Sequence, residues 1–111
     1  MDFAGKVALV TGAGAGLGRA ASLAFAREGA ALCLVGRSRA KLEETGRLIR
    51  DAGGRCVELA CDLGEPRGCR EAIEGAMTAF GRLDVLCNIA ADVMFHRLAD
   101  IKEEEWNRTI A

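Results

Sequence analysis

Tyrosine is missing from this sequence, and histidine, tryptophan and proline occur once each. A phenol is therefore unavailable as an acid–base group within the 111 residues. A single histidine, His96, leaves a His/Cys zinc site little to draw on. The five cysteines (Cys33, Cys56, Cys61, Cys69, Cys87) are odd in number and contain no C-x-x-C pair. That usage argues against a disulfide framework and for reduced, structural thiols. Neither sign of charge is in excess, with 15 basic and 16 acidic residues giving a net charge of −1. The balance leaves no electrostatic footprint for nucleic acid or for a membrane surface. No apolar run approaches the length of a transmembrane helix. The opening "MDFAGKVALV" has no long apolar core behind a basic start, so no signal peptide is expected. These absences point to a cytoplasmic protein.

What is present is an alternation of two periodicities. Half the residues are apolar and 28% are charged, an ordinary balance for a soluble globular domain. Four short continuous apolar runs, "KVALVTG" (6–12), "AALCLVG" (30–36), "RCVELAC" (55–61) and "RLDVLCN" (82–88), read as strands covered on both faces of a parallel sheet. Between them lie segments with helical spacing. The first, from about 16 to 28, is rich in Ala and Leu and closes at Gly29. The second runs from a capping Ser38 to Ala52, with Leu42, Thr45, Ile49 and Ala52 inward and Gly53-Gly54 as the stop. The third, 65–80, carries Cys69, Ala72, Ile73, Ala76, Met77 and Phe80 as one stripe, with Pro66 in its first turn and Gly81 after its end. Asp100 and Glu103 suggest the start of a further helix near 101, with Trp106 packed inward. Right-handed crossovers turn this order into the N-terminal half of a Rossmann-type doubly wound α/β sheet, strand order 3-2-1-4. The expectation is a single Rossmann-like domain, 1–111 being its dinucleotide-binding portion and incomplete at the C-terminal end. A chain ending there is expected to be marginally stable and prone to aggregate, because its fourth strand offers an apolar edge.

The first strand runs into "TGAGAGLG", which opens a helix, the context a phosphate-binding turn requires. A helix N-terminus attracts a pyrophosphate through unpaired N–H groups and its dipole, and glycines allow close approach and positive φ. The spacing is selective. G-x-G-x-x-G fails at Leu17 from one register and at Arg19 from the other, and no Lys-Ser/Thr follows the last glycine as a P-loop needs. T-G-x-x-x-G-x-G fits, through Thr11, Gly12, Gly16 and Gly18. Gly14, Ala15 and Leu17 complete the candidate cofactor loop, Gly14 as an extra small residue. Glycines needed for packing alone are the alternative.

The second strand ends "LVGRSR", with Gly36 where a dinucleotide fold usually places the acid that selects NAD. Arg37 follows and can grip a 2′-phosphate through charge-assisted hydrogen bonds, with Ser38 able to donate and Arg39 adding charge. The coenzyme expected is NADP(H), with NAD the alternative and solvated helix-start arginines the bland reading. Ala15, before the second glycine of the turn, adds no basic group to the site.

The string "KVALVTGAGAGLG" resembles the cofactor strand and turn of the short-chain dehydrogenase/reductase family. The resemblance continues in register through "CDL" (61–63), "DVLCNIAA" (84–91) and "EEEWNRTIA" (103–111). It implies an adenine contact at Asp62, with Leu63 beside it, and cofactor-supporting roles for Asn88 and Ala90. Asp62 as a plain helix cap is the alternative. Ile89 and Ala91 depart from the family's N-N-A-G ending, which unsettles the nicotinamide end. Family catalysis rests on Ser, Tyr and Lys and on an Asn relay. The resemblance places all of these beyond Ala111, so no catalytic residue is assigned here. It implies a parent oxidoreductase that transfers a hydride between coenzyme and a carbonyl or alcohol, assembled as a homo-oligomer. The 111 residues alone would bind cofactor at most. A non-catalytic, redox-sensing nucleotide-binding module and an inactive partial gene product remain as alternatives. "DVMFHRLAD" (92–100) would lie beside the substrate pocket, with Met94, Phe95 and His96 able to line it.

Overall fold

A computed structural model describes residues 2–89. The order is β1 (Val7–Thr11), α1 (Gly16–Arg27), β2 (Ala31–Gly36), α2 (Arg39–Asp51), β3 (Cys56–Ala60), α3 (Pro66–Phe80) and β4 (Val85–Asn88). The four strands are parallel in the order β3-β2-β1-β4, the arrangement read from the sequence. The expected second helix matches closely, with Ser38 as N-cap accepting from the Lys41 N–H and Ala52 as C-cap. The helix suggested near 101 lies outside the described residues.

Alternate residues of the two central strands point to opposite faces, so each strand serves two cores. Ala8, Val10, Leu32 and Leu34 pack with Leu42 and Ile49 of α2 on one side. Val7, Leu9, Cys33 and Val35 pack with Ala72 and Ala76 of α3 on the other. This double coverage explains why the runs are continuously apolar. Asp84 fastens the opposite end of the sheet, where its Oδ2 accepts from the Val7 N–H at 2.8 Å and its side chain pairs with Arg82. Among the described residues no helix is long and apolar enough to cross a membrane.

Three expectations change. Strand β3 is only half-buried, and β4 alternates, leaving Leu86 62% exposed. Ala52 is exposed at the end of α2. The stripe on α3 is covered only in part, because Cys69, Ile73 and Met77 are exposed. Small residues explain the last difference. Gly68, Ala72 and Ala76 recur every four positions and are the buried ones. A side chain at Gly75 would meet Leu59 of β3 at 2.6 Å. The helix backbone therefore lies close to the sheet, and the bulkier residues of the stripe fall to its flank.

All five cysteines are free thiols. Burial pushes Cys33 up to about 11, with Cys56 adding to the effect. Burial likewise raises Cys56 to about 11, against the opposing pull of Arg50. Unfolded thiols lose their protons near about 8.5. Above that pH the unfolded state binds fewer protons than the folded one, so stability should fall as pH rises towards about 11. Denaturant midpoints at pH 8 and pH 10 should show a larger drop for the natural protein than for a Cys33→Ala/Cys56→Ala variant. Equal drops would remove the thiols from the account.

Candidate functional site

Parallel strands bring all their carboxyl ends to one edge of the sheet. The crossover from β1 leads to β2 on one side, while β4 pairs on the other. A crevice outside the strand ends, at such a switch point, is where doubly wound sheets bind ligands. Thr11 and Asn88 close this point. The buried Thr11 hydroxyl donates to Asn88 Oδ1 at 2.8 Å and accepts from the Ile89 N–H at 2.9 Å.

The loop between β1 and α1 is four residues long, and positive φ occurs at both of its borders, 67° at Gly12, which opens it, and 53° at Gly16, the first residue of α1. Gly18 has a different reason. A Cβ there would lie 1.8 Å from the Gly12 carbonyl oxygen. The third residue of α1 thus rests directly on the end of β1. Ala13 is fully buried, and its N–H donates to the Val35 carbonyl at 3.2 Å, tying the loop to β2. Ala15 occupies the N-cap in an extended conformation; no side chain caps α1 and no acid lies in its first turn. That leaves the first N–H groups and the positive end of the helix dipole available to an anion. Leu17, 71% exposed, sits on this first turn.

At the end of β2, Arg37 is largely exposed and forms a long ion pair with Asp62 (3.7 Å). Ser38 accepts the Lys41 N–H, which leaves its own hydroxyl proton free to donate. Asp62 does not cap α3. The N-cap is Glu65, with no side-chain cap bond, and Asp62 Oδ1 instead accepts from the Gly64 N–H at 2.9 Å. Leu63 packs against the core on the α3 side of the sheet. The site residues read from the sequence therefore collect at one edge: the glycine loop, Arg37 and Ser38, Asp62 and Leu63, and Asn88. Ala90, Ala91, Met94, Phe95, His96 and the segment with Asp100, Glu103 and Trp106 lie outside the described residues. Among the described residues, no group of three or more His, Cys, Asp or Glu could hold a metal ion.

Sequence reading missed four participants. Thr11 was part of the motif string, but nothing signalled its bond to Asn88. Gly68 repeats the Gly18 device on the other side of the sheet, since a Cβ there would lie 1.8 Å from the Asp62 carbonyl oxygen. Arg19 and Thr45 meet behind the loop, and their spacing in sequence gave no sign of it.

A glycine loop opening a helix at the switch point of a 3-2-1-4 parallel sheet defines a Rossmann-type fold. The short chain dehydrogenase family profile matches residues 6–111, and the chain belongs to that family. General stress protein 39 of Bacillus subtilis is 39% identical over 107 residues, covering 95% of this chain and 37% of the relative. The crystal structure of a metagenomic short-chain oxidoreductase in complex with NADP superposes with a TM-score of 0.88 at 36% identity, over 99% of this chain and 50% of that one. L-Sorbose reductase from Gluconobacter frateurii, complexed with NADPH and L-sorbose, gives a TM-score of 0.87 at 34% identity, over 96% and 42%. The chain thus spans less than half the length of the curated relatives it matches.

The two contacts of a helix glycine on a strand end should be costly to disturb. Gly18→Ala and Gly68→Ala should each destabilise towards the upper end of about 1–3 kcal/mol. Gly16→Ala, which meets no atom within 4 Å, should cost the left-handed penalty of about 1–2 kcal/mol. Urea denaturation of the three variants measures the order, and a Gly18→Ala loss no larger than that of Gly16→Ala would contradict the close-approach account.

Proposed function

We propose that residues 1–111 form the coenzyme-binding portion of a cytoplasmic, NADP(H)-dependent oxidoreductase, a single Rossmann-like domain in a homo-oligomer. Its substrate is a small carbonyl or alcohol compound, and neither nucleic acid nor a membrane is a partner. The observation that carries the coenzyme choice is the exposed Arg37 guanidinium just past β2, with glycine rather than an acid at position 36. The NADP and NADPH in two similar structures support it.

The residues present fit that coenzyme. The uncapped N–H groups of the loop and of α1 would hold the pyrophosphate, with Gly12, Gly14, Ala15, Gly16, Leu17 and Gly18 forming the cradle. Arg37 and Ser38 would take the 2′-phosphate, Asp62 and Leu63 would flank the adenine, and Asn88 and Ala90 would support the nicotinamide end. An exposed ion pair such as Arg37–Asp62 contributes about 0–1 kcal/mol. A hydrogen bond to a charged group contributes about 1.5–3 kcal/mol. A 2′-phosphate would therefore find the guanidinium held only weakly by Asp62.

When bound, the coenzyme would supply a hydride to a carbonyl substrate or accept one from an alcohol. The chain's own part is to bind and orient it, and a residue outside these 111 carries the proton. Without that residue the 111-residue chain binds coenzyme and does not turn over. A non-catalytic nucleotide-binding module is the second reading, because a fold does not fix a function by itself. Ser and Tyr-x-x-x-Lys in the remainder of the natural gene product decide for the enzyme.

Calorimetry on the natural full-length protein should give NADPH a dissociation constant about ten- to a hundredfold below that of NADH. Arg37→Asp should reverse the order. Tighter binding of NADH by the unaltered protein would reject the coenzyme assignment, and binding of neither would reject the whole reading.

A further inference from the structure

Two side chains from different helices converge on the back of the glycine loop. Thr45, in the middle of α2, is fully buried. Its hydroxyl donates to the Ala13 carbonyl at 2.8 Å and accepts from Arg19 Nε at 2.9 Å. Arg19, in the first turn of α1, also donates from Nη2 to the Gly14 carbonyl at 2.6 Å and to the Lys41 carbonyl at 3.3 Å. Two successive loop carbonyls are thus held from the α2 side.

Gly14 makes this seating possible. A Cβ on it would come within 2.9 Å of Lys41 Cβ, so only glycine lets α2 lie this close. The extra small residue of the motif is therefore where the loop meets α2.

Peptide planarity converts the anchoring into a direction. In a trans peptide the carbonyl and the following N–H point to opposite sides. Holding the Ala13 and Gly14 carbonyls towards α2 turns the N–H groups of Gly14 and Ala15 away from it. Neither N–H has an acceptor among the described residues. The Arg19 guanidinium, bonded to the Gly14 carbonyl, also adds positive charge beside the loop.

We propose that Arg19 and Thr45 are positioning residues, which fix the peptide planes of the coenzyme loop so that its N–H groups are presented to the pyrophosphate before coenzyme arrives. They contact the loop and not the coenzyme. The proposal rests on the reading of this loop as the coenzyme site. It also links the loop to α2, the helix that begins beside Arg37 and Ser38.

The test uses the natural full-length protein with Thr45→Val, Arg19→Lys and the conservative Thr45→Ser. Backbone order parameters of Gly14 and Ala15, measured without coenzyme, should fall from about 0.85 to below about 0.6 in Thr45→Val and Arg19→Lys. Dissociation constants for NADPH should rise about tenfold in both, as expected when preorganisation is lost. Those for adenosine 2′-monophosphate, which lacks the pyrophosphate, should stay near the wild-type value. Thr45→Ser should restore both readouts. Unchanged order parameters, unchanged NADPH affinity, or an equal loss for adenosine 2′-monophosphate each overturns the proposal. If the unaltered protein binds neither coenzyme, the function reading fails, while the order parameters still decide whether the brace exists.

Discussion

The geometry of the strand-end edge depends on one contact, the seat of Gly18 on the Gly12 carbonyl. Four residues separate β1 from α1, so the helix turns back immediately over the strand it leaves. Any side chain at Gly18 would lift α1 off the sheet. The same close approach carries the first N–H groups of α1 to the switch point and buries Ser22 one turn on, where its hydroxyl donates to the Gly18 carbonyl. Core packing and the uncapped start of α1 at the switch point are thus two consequences of one missing Cβ.

The device recurs across the sheet. Gly68 of α3 rests on the Asp62 carbonyl as Gly18 rests on Gly12. Each face of the sheet therefore has a helix seated on strand-end backbone, and the residues at those ends have little freedom to drift. Asp62 leaves β3 in a fixed direction, which places its carboxylate within ion-pair distance of Arg37. Thr11 and Asn88 complete the edge with a hydrogen bond between β1 and β4, strands that are far apart in sequence.

Helix α2 joins these parts. Its buried Leu42 and Ile49 anchor it to the sheet, Thr45 reaches the loop, and Ser38 caps it beside Arg37. A threonine on an apolar face reads as a core residue from periodicity alone. Its hydroxyl, however, serves a loop carbonyl that is otherwise buried without a partner, which is why the position is polar.

The sequence by itself determined the element order, the continuous apolarity of the central strands and the glycine spacing, because each of these is a local demand of backbone geometry or of burial on two faces. It also marked Arg37 at the end of β2, since position along a parallel strand is position in the sheet. Only the tertiary structure decided why Gly14 and Gly68 are glycines, what Thr11 and Thr45 bond to, and that Ile73 and Met77 stand at the flank of α3 and not beneath it. Those outcomes depend on how closely two elements approach, and spacing along one chain does not encode the distance between two helices.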